Sequence, residues 1–178
     1  VLPAFVNAHT HVGDSIAKGA GRGRSLDDLV APPDGLKHRL LREADDEEQI
    51  AAMRRSLRFM QQGGTGAFLD FREGGVAGVE ALREAAADLD IEAVAFGRDE
   101  DAVIDVAERD SHDVNPALDL DPDHLVHMVH AEDLHLERVA DADIPVVACP
   151  RSNLVTGVGL PDLRALADHT TVALGTDN

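Results

Sequence analysis

The sequence predicts a parallel α/β fold of the (β/α) type, and three observations carry that expectation. Apolar strand-like runs alternate with amphipathic helical stretches along most of the chain. A histidine pair, His9 and His11, closes the first apolar run, and a carboxylate, Asp177, follows directly on the last. Regular alternation alone fits either an open doubly wound sheet or an incomplete (β/α)8 barrel. A metal site sharing His9, His11 and Asp177 favours the barrel, because the first and last strands of a closed barrel are neighbours. The 178 residues read as one domain covering 1–178.

The elements follow in order. Ala4 to Ala8 forms the first strand, ending in His9-Thr10-His11. Side chains at i and i+2 of a strand share a face, so both imidazoles point one way and can grip one ion. From Gly13 to Ala44 the chain is rich in Gly, Pro and charge and reads as an extended active-site loop with short helical pieces. Its Gly-rich part lacks the Lys-Ser/Thr of a phosphate cradle. Asp45 opens the first clear helix, with acidic residues in its first turn and Ile50, Met53, Leu57 and Met60 at helical spacing, and Gly63-Gly64 ends it. A second strand over Gly66 to Phe71 leads through a Gly-Gly turn into a helix near Val76 to Leu89. A third strand, Ile91 to Phe96, precedes a short helix from Glu100 to about Ala107. The remaining strands are Leu125 to His130, Ile144 to Cys149 and Thr171 to Gly175, with helices near Glu132–Asp141 and Pro161–Asp168 between them.

Composition narrows the function classes. A formal charge of −18 argues against nucleic acid or an anionic membrane as partner. The chain holds no uninterrupted apolar run long enough to span a bilayer and no basic apolar leader. The single cysteine, Cys149, excludes an internal disulfide framework and suits a reducing cytoplasm. Lysine occurs only at positions 18 and 37, Tyr and Trp are absent, and acids abound, a balance like that of proteins from salt-loving microbes. The expected partner is a small-molecule substrate, with a homo-oligomer allowed.

Four runs carry a family resemblance. Leu2-Pro3-Ala4-Phe5-Val6-Asn7-Ala8-His9-Thr10-His11, Leu125-Val126-His127-Met128-Val129-His130-Ala131, Ala148-Cys149-Pro150-Arg151-Ser152-Asn153-Leu154 and Leu174-Gly175-Thr176-Asp177-Asn178 stand in the order and context of the amidohydrolase superfamily. The sequence most resembles its branch of chlorohydrolases and purine- or cytosine-type deaminases. The resemblance implies a metal-dependent hydrolase on a (β/α)8 barrel, usually with a flanking β-sandwich. His9 and His11 correspond to the strand-one metal ligands, and Asp177 to the strand-eight carboxylate that binds metal and takes a proton from water. His127 is similar to the strand-six residue that meets the attacking oxygen or the substrate. His130 reads as a strand-end or loop histidine in preference to a ligand, Arg151 as part of a surface ion pair, and Ser152 and Asn153 as turn caps or substrate contacts. Arg72, at the end of the second strand, and His38, in the long loop, are further candidates to line the substrate pocket, as either residue or as a solvated charge.

One departure stands out. The family places a further metal histidine on strand five, in a His-x-x-Glu arrangement whose glutamate is the general acid/base. That spacing puts Asp105 at the histidine and Glu108 at the glutamate. Between Phe96 and Leu125 the chain is too short for the strands and helices a full barrel needs. The preferred expectation is therefore a seam near Ala107/Glu108, with strand four, its helix and most of strand five missing, Glu108 surviving, and its histidine partner absent. Asp105 as ligand is the alternative. The chain also begins at strand one and stops just past strand eight, so it reads as truncated at both ends, without the sandwich.

The expected chemistry follows. Zinc, or else Fe2+ or Mn2+, held by His9, His11 and Asp177 lowers the pKa of water towards about 7. Asp177 accepts the proton, Glu108 delivers one to the leaving nitrogen, and His127 stabilises the oxyanion. The reaction expected is hydrolysis at an sp2 carbon bearing nitrogen, as in an aminated purine, pyrimidine or triazine, with ring halides a lesser option. The rivals are a hydrolase of linear amides, a catalytically silent relative kept for assembly, and a non-haem iron site.

Overall fold

Parallel pairing of short strands, with helices between most of them, organises the protein. A computed structural model describes residues 2–31, 33–97 and 105–177. The chain divides into two compact units, residues 1–100 with 178, and residues 101–177.

In the first unit, β1 (Phe5–Thr10), β2 (Thr65–Arg72) and β3 (Glu92–Gly97) form a parallel sheet in that order. The register of β1 on β2 slips between Asn7 and Thr10, the stretch that carries His9. Such an irregularity re-aims a side chain at a strand end. The long connection after β1 folds into a 3-10 turn (Val12–Ala17) and two helices, α1 (Leu26–Val30) and α2 (Leu36–Glu43). Then comes α3 (Asp46–Gln62), capped by Asp45, whose Oδ1 accepts the Glu48 amide at 2.8 Å, and closed by Gly63. Between β2 and β3 lies α4 (Gly75–Ala86). Met53 and Leu57 of α3, Phe68 of β2, and Leu82 and Ala85 of α4 join Val12 and Ile91 in one core.

In the second unit, β4 (Asp105–Val106), β5 (Leu125–His127), β6 (Val146–Ala148) and β7 (Val172–Leu174) form a second parallel sheet, again in chain order. The helices are α5 (Val114–Leu118), α6 (Asp133–Asp141), α7 (Pro150–Thr156) and α8 (Leu163–His169). Val106, Val114, Leu125, Leu136, Val139, Ile144, Val146 and Leu166 make its core.

The alternation read from the sequence holds, with four corrections. Among the described residues the strands form a three-stranded and a four-stranded sheet, not one closed eight-stranded sheet. The expected helix from Glu100 to Ala107 lies in part outside the described residues, and its described end is β4, because Asp105 and Val106 pair with Val126 and His127. The strand expected over Leu125 to His130 stops at His127, since His127 and Met128 turn to φ 71° and 52°. Ser152 and Asn153, expected to cap a turn or to meet substrate, lie within α7, which opens with Pro150 at the first helical position and ends at left-handed Gly157. Among the described residues, no helix is long and apolar enough to cross a membrane.

Phe68 is fully buried at the centre of the first core. Replacing it with Ala is expected to cost about 3–5 kcal/mol of stability, read as a lowered urea midpoint; an unchanged midpoint would show that this core does not hold the unit together.

Candidate functional site

Each unit carries candidate residues where its strands give way to loops, the edge on which parallel α/β proteins place their chemistry.

In the first unit, β1 delivers His9 and His11, exposed by only 1% and 6%. Their rings lie edge to face with centroids 4.9 Å apart, and Phe71 of β2 packs against both, at 4.6 Å from His9 and 6.1 Å from His11. Two imidazoles this close, on one strand end, suit joint ligation of one ion. Thr10, between them, is also buried. Its hydroxyl lies 2.9 Å from both the Leu69 carbonyl and Asp70 Oδ1. That same carboxylate oxygen accepts the Val12 amide at 2.6 Å. Asp70 thus clamps the chain on both sides of His11. Burial pushes its carboxyl above the usual range, against the Val12 amide, Arg72, Thr10 and His11, which favour the charged form.

A chain of buried charges continues from Asp70. Arg72 places Nη1 3.8 Å from Asp70 and Nη2 3.7 Å from Glu73. Lys37, on α2, bridges Asp14 and Glu73 at 2.8 Å each. Burial opposes the charge on Lys37, but Asp14 and Glu73 outweigh it and lift its pKa above the ordinary lysine value. Burial likewise opposes the charge on Glu73, yet Lys37, with His11 and Arg72 behind it, brings its pKa down to about 2. Gly13 makes room for this network, because a Cβ there would fall on the Arg72 guanidinium. The ion pairs tie the long loop to the end of β2, beside the histidines. Arg72, expected to line a pocket, is 5% exposed and engaged with Asp70 and Glu73. His38, the other such candidate, sits on α2 with Nε2 3.1 Å from the Val30 carbonyl, joining α2 to the end of α1.

In the second unit, His127 closes β5 and is 1% exposed. Its Nδ1 lies 2.9 Å from Asn153 Nδ2, and its Nε2 lies 4.0 Å from Asp177 Oδ2. Ser152 donates to that same Asp177 oxygen at 2.5 Å. Glu108, half-buried, follows β4 two residues after Val106, whose register partner is His127. Ala107, His127 and Asp177 all adopt φ above zero, at 52°, 71° and 63°. Non-glycine residues held there cost of order 1–3 kcal/mol each, a strain that collects at functional sites. His130 and Arg151 are exposed. The side chain of Asp105 lies outside the described ones.

Sequence reasoning passed over Asp70, Asp14, Glu73 and the role of Lys37. A carboxylate inside the apolar run Gly66 to Phe71 was the available signal for Asp70, and the scarcity of lysine the signal for Lys37.

Comparison with known proteins now decides the family. The profile described as "Amidohydrolase family" matches residues 1–112. The chain belongs to the amidohydrolase family. A protein of Methanothermobacter thermautotrophicus with a provisional aminohydrolase name is 34% identical over 241 aligned positions, taking in all of this chain and 63% of the relative. A 56-residue stretch is 43% identical to a 5-methylthioadenosine/S-adenosylhomocysteine deaminase of Haloquadratum walsbyi, covering 31% of this chain and 13% of that enzyme. This amidohydrolase chain thus spans under two thirds of the length of the full-span relative. Among solved structures, guanine deaminase of E. coli superposes with a TM-score of 0.70 at 21% identity, covering 98% of this chain and 58% of that one. Atrazine chlorohydrolase of Arthrobacter aurescens TC1, complexed with zinc, gives 0.69 at 16% identity, covering 99% and 60%. At these identities the two structures establish an amidohydrolase-type fold, part of which this chain reproduces.

Because Glu73 drops from 4.5 to about 2 in the folded protein, the stability it contributes is full above pH 4.5 and is lost as pH falls from there through about 2. Urea midpoints between pH 6 and 2 are expected to fall more steeply for the native protein than for Glu73→Gln; parallel curves would mean that the Lys37 bridge contributes nothing.

Proposed function

We propose that the protein is a metal-dependent hydrolase that attacks an sp2 carbon bearing a nitrogen leaving group, as in an amino-heterocycle. The observation that carries this reading is the buried, mutually packed pair His9 and His11 at the end of β1 in a chain of the amidohydrolase family. The names of the relatives, an aminohydrolase and two deaminases among them, support nitrogen over halide as the leaving group.

His9 and His11, with Asp177, are the residues that would hold the metal. Two imidazoles and a carboxylate are the donor set zinc prefers, with Fe2+ and Mn2+ also suited to it. When bound, such an ion makes water acidic enough to ionise near neutral pH. The chain's own groups do the rest. Asp177 takes the proton from the attacking water. Its bond from Ser152 holds the acceptor oxygen in place meanwhile. Glu108 carries a proton to the departing nitrogen, so that it leaves as an amine or ammonia rather than an anion. His127 donates a hydrogen bond to the oxygen that gains charge as the carbon becomes tetrahedral. The acid-rich surface fits work in strong brine.

An ammonia-release screen across amino-purines, amino-pyrimidines, amino-triazines and linear amides, run in high salt with zinc, tests the reading. Turnover of at least one ring substrate is expected. His11→Ala should abolish it with the fold preserved, and His127→Ala should lower kcat about 10²–10³-fold. Undiminished turnover in His11→Ala would refute the metal assignment. No metal uptake and no turnover would favour the silent relative.

We infer in addition that strand four, its helix and most of strand five are missing at a seam near Ala107/Glu108, together with the histidine partner of Glu108. Support comes from the two-residue length of β4 and from the alignment to the M. thermautotrophicus relative, which needs 241 positions to accommodate 178 residues. Sequencing the gene across the codons for Ala107 and Glu108 checks it: intervening codons are expected, and an uninterrupted junction would return Asp105 as ligand candidate.

A further inference from the structure

Asn153 lies inside the second unit. It is wholly buried, on the first turn of α7, and its backbone is fixed at both ends. Its amide donates to the Cys149 carbonyl at 3.0 Å, and its own carbonyl accepts the Val158 amide at 3.1 Å. The side chain therefore has little freedom, and its Nδ2 stands 2.9 Å from Nδ1 of His127, itself buried.

The two groups constrain each other. A carboxamide nitrogen can only donate, and a neutral imidazole donates from one ring nitrogen and accepts at the other. With Nδ2 as donor, Nδ1 of His127 must be the acceptor, and the ring proton must reside on Nε2. The opposite orientation of the amide would leave an NH2 group with two buried donors unmet. The observed one pairs one N–H with Nδ1 of His127 and leaves Oδ1 without a partner among the described residues. Unmet buried donors are the rarer case in proteins, so the amide stands as drawn. Nε2 is the nitrogen that lies 4.0 Å from Asp177 Oδ2.

We propose that Asn153 is a positioning residue that locks His127 in the Nε2–H tautomer, so that the imidazole presents a proton, and not a lone pair, on the side facing Asp177. Building on the hydrolase reading, this gives His127 one chemical role. A protonated Nε2 donates a hydrogen bond to a developing oxyanion and cannot ligate a metal through that nitrogen. Ser152, one residue earlier, holds Asp177 from the same helical turn. The motif Pro150-Arg151-Ser152-Asn153 thus sets the proton arrangement of a pair that lies elsewhere in the sequence.

The test is long-range proton–nitrogen correlation on the full chain labelled with 15N-histidine, at about pH 8.5 where imidazole is neutral. His127→Gln identifies which of the nine histidine signals belongs to the site. The native protein is expected to show His127 with the proton on Nε2. Asn153→Asp, of the same shape but able only to accept, should move it to Nδ1. Asn153→Leu should leave a mixture of both forms, and should lower kcat on the ring substrate about 10²-fold with KM little changed. A native signal with the proton on Nδ1, or an Asn153→Asp protein that keeps it on Nε2 with native circular dichroism, would overturn the assignment. A native protein with the Nε2–H signature that releases no ammonia from any substrate would instead refute the hydrolase reading and uphold this one.

Discussion

The first unit depends on one buried carboxylate. Asp70 sits in the middle of an apolar strand, where an isolated charge is costly, and survives there because the chain leaving β1 brings it a backbone amide and a hydroxyl while Arg72 stands nearby. The bond is mutual in effect. The carboxylate is tolerated because the loop binds it, and the loop takes one path because the carboxylate is there. His11 lies between the two points of attachment, so its ring is oriented by a hydrogen bond to its neighbours and not by its own packing alone. The Arg72, Glu73, Lys37 and Asp14 pairs extend that constraint to α2. A loop rich in glycine and charge is thereby tied by ion pairs to the end of β2.

The second unit reaches a similar end by different means. Its strands are two or three residues long and offer few ladder bonds, so little of the site's order can come from the sheet. Side chains supply it. Ser152 and Asn153, consecutive on one helical turn, fix Asp177 and His127 respectively. Where the first unit uses ion pairs, the second uses neutral donors.

Much of this was legible in the letters. Strand and helix alternation was readable because the apolar period changes along the chain, and His9 and His11 were recognisable by spacing and by position after a strand. Asp45 and Gly63 marked the ends of α3 by ordinary capping chemistry. Other features were hidden for physical reasons. The helix α7 is too short to show a period, and its proline signal competes with a turn reading. The end of β5 at His127 follows from backbone twist to positive φ, which a run of Val, His and Met does not announce. The Lys37 bridge joins residues far apart in sequence, and nothing local distinguishes a lysine that will be buried between two acids from one that will not. Closure into a ring was expected from the order of the motifs, but ring closure requires strands of sufficient number and length, and β4 has two residues.

The left-handed backbone at Ala107, His127 and Asp177 bears on how this protein can change. At such positions glycine relieves strain that any other residue retains. Stability and chemistry therefore pull in opposite directions, since the substitution that relaxes the backbone at His127 or Asp177 also deletes the imidazole or the carboxylate. Variants selected only for robustness would drift towards glycine there and lose the side chains, while variants that keep them carry the strain and must recover it elsewhere. The second unit has strands of only two or three residues, and it is there that gains in durability would be won at the expense of the site.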